Sequence, residues 1–134
     1  MMLTYDRLGS SDLRGFTRAD VLVAVDAELR IKAGSDFSLV EPGFPVVELA
    51  RAIRIWLDSQ DRQAFAFDSM SFEERGSVSI VQTPTGWRFE SMLEPGVVSD
   101  PLPWDEVEEE LRRFILQVGA DLANLGIDAG LILG

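Results

Sequence analysis

Apolar and polar positions along the chain recur in blocks of two different periods. Residues 20–32, "DVLVAVDAELRIK", alternate. Val21, Val23, Val25, Ala27, Leu29 and Ile31 share one side, while Leu22, Ala24, Asp26, Glu28, Arg30 and Lys32 share the other. A period of two over this length predicts one long strand with a buried face, and the polar second face favours antiparallel pairing. "AGSD" reads as a turn and "FSLVE" as a short returning strand. Pro42, Gly43 and Pro45 then break the chain. In "PVVELARAIRIWLDSQ", Pro45 suits a first helical position, and Val46, Leu49, Ala50, Ile53 and Trp56 or Leu57 form a stripe at helical spacing.

Further on, "AFAFD", "GSVSIVQ" and "GWRFESMLE" read as strands. The last two are joined by a hairpin at "TPTG". The first two flank "DSMSFEERG", which reads as an exposed polar turn. Pro95, Gly96, Pro101 and Pro103 mark a rigid loop. A final helix follows, with Val107, Leu111, Phe114, Val118, Leu122 and Leu125 on one stripe and Gly126 as its stop. "LILG" ends the sequence with apolar residues suited to the core. Strands, helix, strands, helix predict an α+β fold. The expected arrangement is a single antiparallel sheet of about five or six strands, with two helices packed on one face by the layer rule. The length suits one domain over residues 1–134.

Composition narrows the chemistry. There is no cysteine and no histidine, which removes disulfides, thiolates, imidazole bases and the commonest metal ligands. A serine nucleophile would have only Lys32 as a base, and that residue falls on the wet side of a strand. The glycines are scattered, so no phosphate-cradling loop exists. "DSMSFEERG" lacks the alternating oxygen ligands of a calcium loop. Carboxylate pairs among Asp68, Glu73, Glu74, Glu90 and Glu94 lack the spacing that hydrolysis would need. The expectation is no catalytic residue, no metal and no cofactor.

Charge adds a direction. The formal net charge is −11, and it lies mostly in residues 68–134, where thirteen acids face four bases. Such a surface repels nucleic acid and anionic membrane and attracts basic partners, although solubility alone also explains it. The amino terminus has no basic segment leading into an apolar core, and no stretch approaches the ~18 apolar residues of a membrane span. A cytoplasmic location is expected.

Trp104 stands between Pro103 and Asp105 at a helix start, where it either staples the helix or serves as an exposed anchor for a partner. The candidate partner-binding residues are therefore Asp68, Glu73 and Glu74 in the turn, with Trp104, Asp105, Glu106 and Glu109 at the final helix. In size, charge and element order the chain resembles the small acidic immunity proteins that bacteria make against their own toxins. "FPVVELARAIRIWL", "FDSMSFEERGSVSI" and "GWRFESML" also resemble an uncharacterised group of small bacterial proteins. That resemblance implies a non-catalytic inhibitor of a basic toxin, and it carries no residue roles. The alternative is a small-ligand-binding or carboxylate-based enzyme domain with a pocket between sheet and helices. A third is a subunit that dimerises through a sheet edge.

Overall fold

The computed structural model describes every residue except Asp36, Asp61 and Glu74. Its elements run β1 (Met2–Gly9), α1 (Arg18–Ala24), β2 (Asp26–Ala33), β3 (Phe37–Phe44), α2 (Val46–Asp58), β4 (Phe65–Ala66), β5 (Ser79–Thr83), β6 (Gly86–Glu90), α3 (Trp104–Asn124) and α4 (Ala129–Leu133). The fold is α+β with antiparallel pairing throughout.

The expected single sheet is two sheets among the described residues. β1-β2-β3 form one and β4-β5-β6 the other. The reason lies at the outer edge of β6. Segment 98–102 bridges to it, with Trp87 N donating to Leu102 O (2.9 Å), Leu102 N to Trp87 O (2.7 Å) and Ser99 N to Phe89 O (2.9 Å). Those backbone groups are no longer open to the first sheet. Gly86 permits the close approach: at φ 152°, a Cβ there would sit 2.7 Å from the Leu102 carbonyl oxygen. The same segment ties the sheets together through Asp100, whose carboxylate accepts from Ser35 Oγ (2.9 Å) in the β2–β3 turn.

The expected long strand over residues 20–32 is also corrected. Its first half is α1, started by a capping box in which Thr17 Oγ1 accepts from Asp20 N (3.2 Å) and Asp20 Oδ2 accepts from Thr17 N (3.3 Å). Val21, Leu22 and Val25 are buried at helical spacing, whereas Val23 is 53% exposed. Only from Asp26 does the period of two rule, with Ala27, Leu29, Ile31 and Ala33 inward. Among the described residues there are four helices rather than two, since α4 also forms behind an Asp128 cap that accepts from Gly130 N and Leu131 N. β1 pairs with β2 from Met2↔Lys32 to Asp6↔Glu28, then bulges where Arg7 turns left-handed at φ 57°. β3 runs through Pro42 and Gly43 to Phe44, tolerating the proline as a strand on the sheet edge. Pro45 is the cap of α2 rather than its first residue.

α2 packs on β2, and α3 packs on β1, β6 and α2. Their buried stripes, Val46, Leu49, Ala50 and Ile53 on α2 and Val107, Leu111, Phe114, Val118 and Leu122 on α3, follow the helical period, but Leu125, expected on the α3 stripe, caps the helix and is 42% exposed. Phe44, Phe67 and Phe89 are fully buried alongside Phe114. Phe37 of the first sheet meets Phe89 of the second at 6.4 Å between ring centres.

Candidate interaction surface

Trp104 opens α3 and is partly buried. It leans on Trp87 (5.1 Å between ring centres) and meets Trp56 edge-on (5.6 Å). The Arg62 guanidinium lies 4.0 Å over its ring, a cation–π contact. Trp56 is fixed in turn by donating from Nε1 to Gln63 O (2.8 Å). Trp104 is thus a stacked, partly buried element, not a free anchor. Trp56 falls on the apolar stripe of α2, but the aromatic box that it forms with Trp87 and Trp104 depends on contacts over long sequence separations.

Asp105, Glu106 and Glu109 are exposed beside it. Asp105 and Glu106 stand in the first turn of α3, where the positive end of the helix dipole favours them. Glu106 meets the chain's amino group at 3.4 Å. Glu108 and Glu110 are taken up by Arg112 (3.2 Å) and Arg113 (2.6 Å). Asp105 and Glu109 have no ion pair among the described residues, so their charge faces solvent uncompensated.

The turn after β4 is a second, separate group. Asp68 pairs with Arg75 at 3.2 Å, with both side chains about two-thirds exposed, and Glu73 is exposed. Glu74 lies outside the described residues. The turn is not loose. Phe67 and Val78 extend the strand pairing (Phe67 N to Val78 O, 2.9 Å), Gly76 N closes back onto Phe67 O (2.8 Å), and Phe72 packs on Phe44 at 5.6 Å between ring centres. Its anchor is Glu48 of α2, a buried carboxylate that accepts from Ser69 Oγ (2.5 Å) and Met70 N (3.0 Å). The turn is therefore held at Glu48, while Trp104 stacks on Trp56. Eight residues of helix separate these points, about 12 Å along the axis. The acids expected to act together form two groups at two ends of α2.

A third arrangement has no counterpart in the sequence reading. α3 presents Glu110, Arg113 and Asp121 to the outer edge of β1. Glu110 Oε2 accepts from Leu3 N (2.7 Å), Arg113 donates to Leu3 O (2.6 Å), and the Tyr5 hydroxyl donates to Asp121. Burial pushes the Glu110 carboxyl up, but the bonds from Arg113 and Leu3 N outweigh it and hold it below the ordinary carboxylate value. Burial, and then the Asp121 carboxylate, raise the Tyr5 hydroxyl far above its ordinary value. The spacing Glu110, Arg113, Gln117, Asp121 on one helical side was the only available signal, and the opposed strand had to be recognised first.

Among the described residues no group of three or more Asp or Glu side chains is placed to hold a metal ion. No helix of the described residues is long and apolar enough to cross a membrane. The fold and surface together define an acidic α+β domain with two antiparallel sheets under a helical layer. The chain belongs to a family described as a domain of unknown function, DUF7878, whose model matches residues 1–124. No curated protein and no solved structure matches it.

Proposed function

We propose that the chain is a non-catalytic protein-binding domain that inhibits a basic bacterial toxin in the manner of an immunity protein, in the cytoplasm of the cell that makes it. The observation that carries this reading is the start of α3, where the partly buried Trp104 is followed by Asp105 and Glu109, both exposed and without an ion pair among the described residues. A partly buried tryptophan at a helix start that carries exposed acids suits a partner rich in Arg or Lys: the ring supplies contact area and the acids supply steering. The turn bearing Asp68 and Glu73 adds negative field at a second place.

The test starts from a pull-down with the native host's lysate, followed by association rates with the captured partner. Steering fades over a Debye length of about 8 Å at physiological salt, so association should slow as salt rises. Asp105→Asn with Glu109→Gln should slow it further at low salt. Trp104→Ala should instead speed dissociation. Association indifferent to salt and to both acids would remove the reading.

A further inference from the structure

We propose that an open cleft on the outer side of α2 binds a small amphipathic monocarboxylate: an apolar body carrying one carboxylate. This site stands apart from the surface at the start of α3, and its ligand is neither basic nor a protein. The cleft has a volume of about 400 Å³, within the usual range of small-ligand sites. Leu22 of α1, Ala52 and Ile55 of α2, and Ala66 and Met70 around β4 make its apolar walls. Ile55 and Met70 are 55% and 61% exposed, a large unburied apolar area for two facing elements. Methionine adapts readily to the shape of whatever it covers.

The polar groups decide what the apolar body must carry. Three charged residues line the cleft besides these walls: Glu48, Asp68 and Arg51. Glu48 is spent on Ser69 Oγ and Met70 N. Asp68 is paired with Arg75 at 3.2 Å. Arg51 is unspent among the described residues: its Nε is buried without a hydrogen-bond partner there, and no ion pair among them involves it. The buried Nε is out of a ligand's reach, so an acceptor entering the cleft would meet the terminal nitrogens of a guanidinium whose charge no acid pairs among the described residues. A carboxylate matches its planar fork with two parallel bonds. The neighbouring Glu48 and Asp68 oppose a multiply charged anion such as a phosphate, which leaves a monoanion. Its hydrocarbon then lies along Ile55 and Met70.

Octanoate is the probe, with octanol as the uncharged control, titrated into the full chain labelled for amide and arginine Nε–H NMR. Saturable shifts should centre on residues 48–55 and 66–70 and on the Arg51 Nε–H, with affinity at least tenfold above that for octanol. Arg51→Gln should weaken octanoate binding at least tenfold, and Arg51→Lys should recover part of the loss. Ile55→Glu, on an exposed position that leaves the fold intact, should weaken it comparably by placing an anion on the wall. Equal binding of octanol, full binding by Arg51→Gln, or shifts spread over the exposed Phe16, Leu116 and Leu131 would overturn the proposal.

Discussion

Two acid–arginine pairs in this molecule use the same chemistry in opposite settings. Glu110 and Arg113 lie at the seam between α3 and β1, where the Glu110 side chain is 14% exposed and each partner also binds the backbone of Leu3. Asp68 and Arg75 lie in an exposed turn, each side chain about two-thirds exposed, with one bond between them. Exposed pairs are worth roughly 0–1 kcal/mol, since solvent screens them and two flexible side chains must be ordered. The seam pair begins from a helix that packing already holds, and it satisfies backbone groups that water reaches poorly. The number of bonds and their shielding, not the presence of opposite charges, separates a structural pair from a surface one.

The comparison breaks most sharply through the packing that supports the seam. Phe114→Ala should cost about 3–5 kcal/mol in a urea melt, because a fully buried ring in edge contact with Tyr5 is removed. Glu110→Ala should cost about 1.5–3 kcal/mol by the same assay, as Leu3 N and Arg113 lose a charged acceptor. A loss under about half a kcal/mol would place the seam in the same class as the surface turn.

Acid sharpens the contrast. The Glu110 carboxyl titrates lower in the fold than in the unfolded chain, so its stabilisation is present above the unfolded carboxylate value of ~4.3 and is lost as pH falls through the lowered one. Urea midpoints between pH 6 and pH 3 should therefore fall less steeply in Glu110→Gln than in the parent chain. An unchanged slope would show that Glu110 is not linked to folding.

Alkali reads the other end of the seam with a single probe, because Tyr5 is the only tyrosine. Its raised value stabilises the fold fully below the unfolded value of ~10, and that contribution is lost as pH rises beyond it. Tyrosinate absorbance should stay flat in the native protein at pH 10–11 and rise there in urea. A native titration near 10 would mean that the hydroxyl is solvated and the bond to Asp121 is not made. The smallest effect belongs to the turn: Asp68→Asn and Glu73→Gln should each move the melt by no more than about half a kcal/mol.

Legibility followed the range of the interactions. α2, α3 and the β5–β6 hairpin declare themselves through local period and turn residues, and the structure places them within a few residues of the expectation. Residues 21–25 do not, because the unbroken apolar run "VLVAV" satisfies both periods. There the Thr17–Asp20 capping box decides for the helix. The division into two sheets rests on segment 98–102 reaching β6, a pairing that no periodicity records. The candidate surface was legible as residue types only. Its acids could be named, but their separation along α2, the stacking of Arg62 on Trp104 and the burial of Glu48 arise from contacts between distant parts of the chain.

The covering of β1 by α3 also bears on synthesis. A ribosome releases β1, β2 and β3 long before residues 110–121 emerge, since Leu3 and Glu110 stand 107 residues apart. Until then the outer edge of β1 has no Glu110 or Arg113 to occupy it, and an unoccupied strand edge templates pairing with another chain. The nascent protein therefore passes through a stage in which it is most prone to self-association, and that stage closes only when its last long helix folds back onto its first strand. Truncations ending before α3 should aggregate even if their first sheet forms, whereas the full chain keeps the same edge occupied.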